Sequence, residues 1–173
     1  ASVEYLEAAP PANTTAPVRG ALASSGGDAP QATIHWGTTD GGTNAAAWQN
    51  AAPQGWQADA FSETLSGLTP GTTYYYRSSA TNGAGTAWAA ATGSFTTPPI
   101  SAPVLANEDV DGVTDRTANL RVDVTGTGGS PTTVTFYWGA SDAGTEAGAW
   151  EHVAPAGSQD GAVSRFLGGL SAA

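Results

Sequence analysis

Trp36 and Trp138, Trp48 and Trp150, and Gly67 and Gly169 each stand 102 residues apart. One offset fits all three pairs, so this 173-residue chain writes one design twice. The longest match sets "IHWGTTDGGTNAAAW" (34–48) over "FYWGASDAGTEAGAW" (136–150). "ASSGG" (23–27) likewise falls over "TGTGG" (125–129), and "ETLSGL" (63–68) over "RFLGGL" (165–170). A period this long exceeds that of solenoid units, so each copy is read as a domain with its own core. The boundaries are 1–98 for the first repeat, 99–102 for a Pro-rich linker and 103–173 for the second repeat.

Within one copy the apolar residues alternate over short stretches bounded by Gly, Pro, Asn or Asp. Val3, Tyr5 and Glu7 begin one strand, and Ala16, Val18, Gly20 and Leu22 a second. "ATIHWG" is a third, with Ile34 and Trp36 on one face and His35 on the other, where it is expected to be solvated. "AWQN" allows a short fourth, "FSETLSGL" is the fifth, "TTYYYRSSAT" the sixth and "AWAAATGSFTT" the seventh. Seven strands in about a hundred residues predict an all-β sandwich. "TTDGGT" and "ASDAGT" then form the turn between the third and fourth strands, where Asp40 and Asp142 bond their own turn backbone.

Charge and composition exclude several functions. Fifteen acidic residues face five Arg and no Lys, a formal charge of −10 that repels a phosphate backbone, so neither nucleic acid nor an anionic membrane is an expected partner. No apolar run reaches the roughly 18 residues of a membrane helix. Ala1 opens no signal peptide, and the chain reads as a mature or excised piece. Without Cys there is no disulfide framework, thiolate nucleophile or zinc knuckle. His35 and His152 occupy non-equivalent positions and lie in no nucleophile or zinc motif, and no Ser stands in a G-x-S-x-G elbow. The expectation is a protein that is not an enzyme.

The stretch "LSGLTPGTTYYYRSSATNGAG" (65–85) resembles the segment leading into and through strand F of fibronectin type III domains. Leu68, Pro70, Thr72 and Tyr74 stand at that family's two-residue spacing. The wider string resembles a variant found in large secreted or surface-attached bacterial multi-repeat proteins. The resemblance implies two tandem immunoglobulin-like, fibronectin type III-like β-sandwiches, with Tyr74 in a tyrosine corner. Trp36, Trp48, Trp138 and Trp150 recur at one spacing in both copies and are read from that recurrence as shared framework. The Trp usual in the second strand is absent, and Trp36 stands on the next. Such domains are extracellular or cell-surface spacers or adhesive modules without catalytic residues.

By the offset Ala173 corresponds to Gly71, so counterparts of strands F and G are missing from the second copy. Three readings stay open: a fragment or an unresolved remainder, strands donated by a neighbouring chain, or a divergent ending. Donation would make the chain a filament subunit, a homopolymer whose partner is itself.

Two binding hypotheses accompany the architectural one. In "NEDVDGVTD", Asn107, Asp109, Asp111 and Asp115 take positions one, three, five and nine around Gly112, the opening spacing of a calcium loop. Ala118 stands where an EF-hand needs its bidentate Glu, so only a short structural calcium site, stiffening the Pro-restricted junction, is expected. Trp rings also stack on sugars. Trp56 aligns with Ser158 and Trp88 lies beyond the region that is duplicated, so these two are the candidates for a glycan or protein partner. "NTT" at Asn13 is an N-x-T glycosylation acceptor.

Overall fold

Side-chain alternation builds the first sheet. In β1 (Ser2–Leu6) Val3 is buried between exposed neighbours, and in β2 (Ala16–Ser24) Ala16, Val18 and Gly20 point inward while Arg19 stays exposed. The structure, a computed structural model, describes residues 1–170 and divides after Pro99 into two compact units.

The first unit continues with β3 (Gln31–Gly37), β4 (Asn50–Trp56), β5 (Ala60–Leu65), β6 (Thr73–Asn82), β7 (Gly85–Trp88) and β8 (Gly93–Thr96). One sheet runs β1-β2-β5 and the other β4-β3-β6, with β7 and β8 pairing successive stretches of the far edge of β6. All pairings are antiparallel. Ala16, Val18, Phe61 and Leu65 from one sheet meet Ala32, Ile34, Tyr74, Tyr76 and Phe95 from the other. This is an immunoglobulin-like sandwich, its two inner faces closing one core.

Two elements differ from expectation. The fourth strand begins at Asn50, because Ala45–Ala47 form a 3-10 turn started by Asn44, whose Oδ1 accepts from the Ala46 N–H at 3.1 Å. The seventh strand is split into β7 and β8. Between the two halves the chain bends around Arg77, whose Nε and Nη2 donate to the Ala89 carbonyl at 2.8 and 2.6 Å.

The second unit holds β9 (Val104–Asn107), β10 (Thr117–Gly126), β11 (Thr132–Trp138), β12 (His152–Gln159) and β13 (Gly161–Gly168). Its sheets are β13-β10-β9 and β11-β12. Cross-strand register repeats that of the first unit, shifted by the same offset. Tyr5↔Gly20 is matched by Asn107↔Val122, Gly20↔Phe61 by Val122↔Val163, and Gln31↔Trp56 by Thr133↔Ser158. Val122, Val124 and Val163 pack against Val134 and Phe136, again one sheet on the other. Among the described residues, no strand pairs with the edge of β11 that corresponds to the one β6 occupies on β3.

Candidate functional site

The duplicated stretch folds as a corner. Asp40 Oδ1 accepts from the Gly42 N–H at 2.8 Å, and Asp142 Oδ1 from the Gly144 N–H at 2.8 Å. Trp48 Nε1 donates to the Gly42 carbonyl at 3.3 Å, and Trp150 Nε1 to the Gly144 carbonyl at 3.2 Å. Gly42 and Gly144 both sit at φ +59°, a left-handed conformation that glycine adopts without strain. Asp40 also accepts from Thr92 Oγ1 at 3.1 Å, a bond that ties the corner to the segment between β7 and β8. A Cβ on Gly41 would meet the Trp48 ring at 2.7 Å, and the matching residue in the second unit is Ala143. Trp48 is correspondingly buried and Trp150 only half-buried.

The outer side of β3 carries a buried aromatic group that the sequence reading does not anticipate. His35 is 6 % exposed rather than solvated. The rings of Trp88 and Trp48 lie over it, at centroid distances of 4.7 and 6.4 Å. Its Nε2 lies 2.9 Å from Ser79 Oγ, while Nδ1 is buried with no protein partner. Burial lowers the pKa of the ring, since water no longer stabilises the charged form. The cover comes from residues 48 and 88, too distant in sequence for strand periodicity to register.

The other singled-out residues are dispersed. Trp36 is half-buried against the core, its ring 5.9 Å from that of Tyr74, whose hydroxyl accepts from the Thr69 N–H at 2.9 Å. Trp138 stacks on His152 at 5.2 Å. Trp88 is half-buried at the end of β7, and Trp56 at the end of β4 is 65 % exposed. These two lie on opposite edges of their sheet. Asn13 Nδ2 donates to the Pro98 and Pro99 carbonyls at 3.1 and 3.0 Å.

In the acidic loop Asp111 forms a backbone bridge with Asn119. Its carboxylate accepts from Asn119 Nδ2 at 2.9 Å and from Arg121 Nη1 at 3.1 Å. Asp115 lies 3.6 Å from Arg116 Nε. The described residues gather no three acidic or His side chains around one point, Asn107 closes β9 and Asp109 follows it in the loop. A cation here would have to take Asp111 from Arg121.

Beside β11 runs a groove of about 580 Å³. Val134 and Phe136 line it from the inner face, Leu105, Leu120 and Val122 from the opposite sheet, and Tyr137 and Trp150 from the outer face. Of its lining, the sequence motifs single out Asn107 and Trp150 but not the groove they help to form. The offset of the repeat is the signal from which it can be read.

No family model and no curated protein sequence matches the chain. Among solved structures it is similar to the sensor domain of the anti-sigma factor RsgI4 of Pseudobacteroides cellulosolvens, at 16 % identity over 56 % of this chain and 93 % of that one, TM-score 0.41. It is similar also to the third fibronectin III domain of the human KIAA0343 protein, at 21 % identity over 59 % and 81 %, TM-score 0.37. A two-domain fibronectin type III segment of chicken tenascin matches at 16 % identity over 98 % and 84 %, TM-score 0.39. The fold assignment stands on the strand order and register of the chain itself.

Proposed function

We propose that the chain is a non-catalytic architectural module of an extracellular protein, serving as a spacer in a surface protein or as part of an extracellular filament. The observation that supports this is the duplicated corner. Its Asp, its glycine and its Trp make the same backbone bonds in both units, so the most repeated chemistry of the chain is spent on holding its own turns. Labelling of native material with an antibody raised against residues 1–173, viewed by electron microscopy, tests the reading. Label on surface projections or along filaments supports it, and label confined to the cell interior overturns it.

A second reading, adhesion, is favoured by Trp56, whose ring is exposed at the end of β4. An exposed aromatic face suits a sugar ring. Saturable retention of the chain on a glycan array, lost in Trp56→Ala, would move the function to adhesion. Retention unchanged by that substitution would remove Trp56 from the reading.

A further inference from the structure

The slot beside β11 has a counterpart whose contents are known. In the first unit the equivalent space holds β6, paired in register with β3, so that Ser78 faces Ile34 and Tyr76 faces Trp36. Shifted by the offset, Ile34 becomes Phe136, Trp36 becomes Trp138 and Ala32 becomes Val134. The slot lining on the opposite sheet follows the same rule. Leu105 matches Val3, which packs on Ala80 of β6, and Asn107 matches Tyr5, whose ring lies 5.9 Å from that of Tyr76. Glu108 matches Leu6, whose carbonyl accepts from the Tyr76 hydroxyl at 2.8 Å. Most of the groove's walls are thus counterparts of residues that touch or face β6.

We infer that this groove is a strand-acceptor site, and that its occupant is an extended polypeptide segment with the side-chain pattern of β6. The backbone groups along the edge of β11 supply a ladder for strand addition, and the alternate side chains set which strand fits. By the register of the first unit, the occupant runs antiparallel to β11 and places an aromatic residue opposite Trp138. Opposite Phe136 and Val134 it places small residues, as Ser78 and Ala80 stand opposite Ile34 and Ala32. A large side chain opposite Phe136 is excluded, because Val122 stands where Gly20 lies against Ser78 in the first unit. Tyr137 follows from the same geometry. It is the counterpart of buried His35 and is half open to solvent at 37 %.

The test uses the whole chain, residues 1–173, and a synthetic peptide with the sequence of residues 69–82. Amide exchange is followed with and without the peptide. The expected result is dose-dependent protection along β11, with a raised melting temperature of the second unit and unchanged exchange in β3 and β4. A peptide carrying Tyr76→Ser binds about tenfold more weakly or worse, from the lost aromatic burial. A peptide carrying Ser78→Trp, or a scrambled peptide, gives no protection. Equal protection by the scrambled peptide, protection elsewhere, or none at saturating peptide overturns the inference. Dimers of the untreated chain that already protect β11 also overturn it, in favour of a second copy as occupant. The variants lie in the peptide, so no outcome depends on a damaged fold. An architectural role without peptide uptake would leave the proposed function standing and remove this site alone.

Discussion

At the residue scale, His35 is the group with most to reveal. Its folded-state pKa lies below the ordinary 6.5, because Trp48, Trp88 and the sheet remove water from the ring. The neighbour facing it across the strand pair is Arg77, whose guanidinium is held by the Ala89 carbonyl, so burial is the cause of the shift. Between the lowered value and 6.5 the unfolded chain holds more protons than the folded one, so stability falls as pH falls through that window. Above it the contribution is complete. The first unit is therefore expected to melt at progressively lower temperature as pH drops from 7.5 towards 5, read by Trp fluorescence, and His35→Gln to flatten that slope. A slope unchanged in the variant would assign the acid sensitivity elsewhere. The paired corners give a second comparison at this scale. Asp40 holds two donors and Asp142 one, so Asp40→Ala is expected to cost roughly 1 kcal/mol and Asp142→Ala about half of that in urea denaturation. Equal costs would mean that the Thr92 bond contributes nothing.

At the scale of elements, the two units solve one packing problem in two ways. Gly20 on β2 lies opposite Phe61, and a Cβ there would meet the Phe61 ring at 2.7 Å and Ser78 Oγ at 2.5 Å. At the matching positions Val122 lies opposite Val163. A glycine with a large partner in one unit is replaced by two middle-sized residues in the other. Gly20→Val is expected to destabilise the first unit by roughly 1–3 kcal/mol through overpacking. Phe61→Val costs a similar amount through the space it leaves, and the double variant costs less than the sum by about 1 kcal/mol. Strict additivity in the double-mutant cycle would show that the two positions do not share volume. Much of this scale is legible in the sequence, for local reasons. Period-two alternation marks β1, β2, β3 and β6, and Pro and Gly mark their ends. The split between β7 and β8 is not legible, because it is set by Arg77 gripping the Ala89 carbonyl from a neighbouring strand. The burial of His35 escapes for the same reason, and so does the half-burial of Trp88. Each is decided by a contact between segments more than ten residues apart.

At the scale of the whole molecule, each unit can be weighed by what fills it. In the first, β6 and β8 contribute Tyr74, Tyr76 and Phe95 to a core shared by both sheets. Aromatic rings of this kind remove 150–250 Å² each from water, by the usual range. The described second unit encloses Val122, Val124, Val134, Phe136 and Val163, and Phe166, Val153 and Leu105 are more than half exposed or close to it, at 66 %, 50 % and 51 %. Less apolar area is withdrawn from water per ordered residue, while the backbone entropy lost per residue is the same. The edge of β11 also leaves its ladder groups to solvent, so local opening there breaks fewer bonds than opening of β3, which is paired on both sides. Heating the 173-residue chain is therefore expected to give two transitions, the second unit unfolding first. In exchange measured by mass spectrometry, peptides from β10 and β11 should take up deuterium well before those from β3 and β6. A single cooperative transition with equal protection in both units would mean that the smaller core is compensated by interactions other than apolar burial. The β6-sequence peptide gives the internal check. It should raise only the first of the two transitions, because the second unit is where an added strand can bury Phe136 and Val134 more deeply.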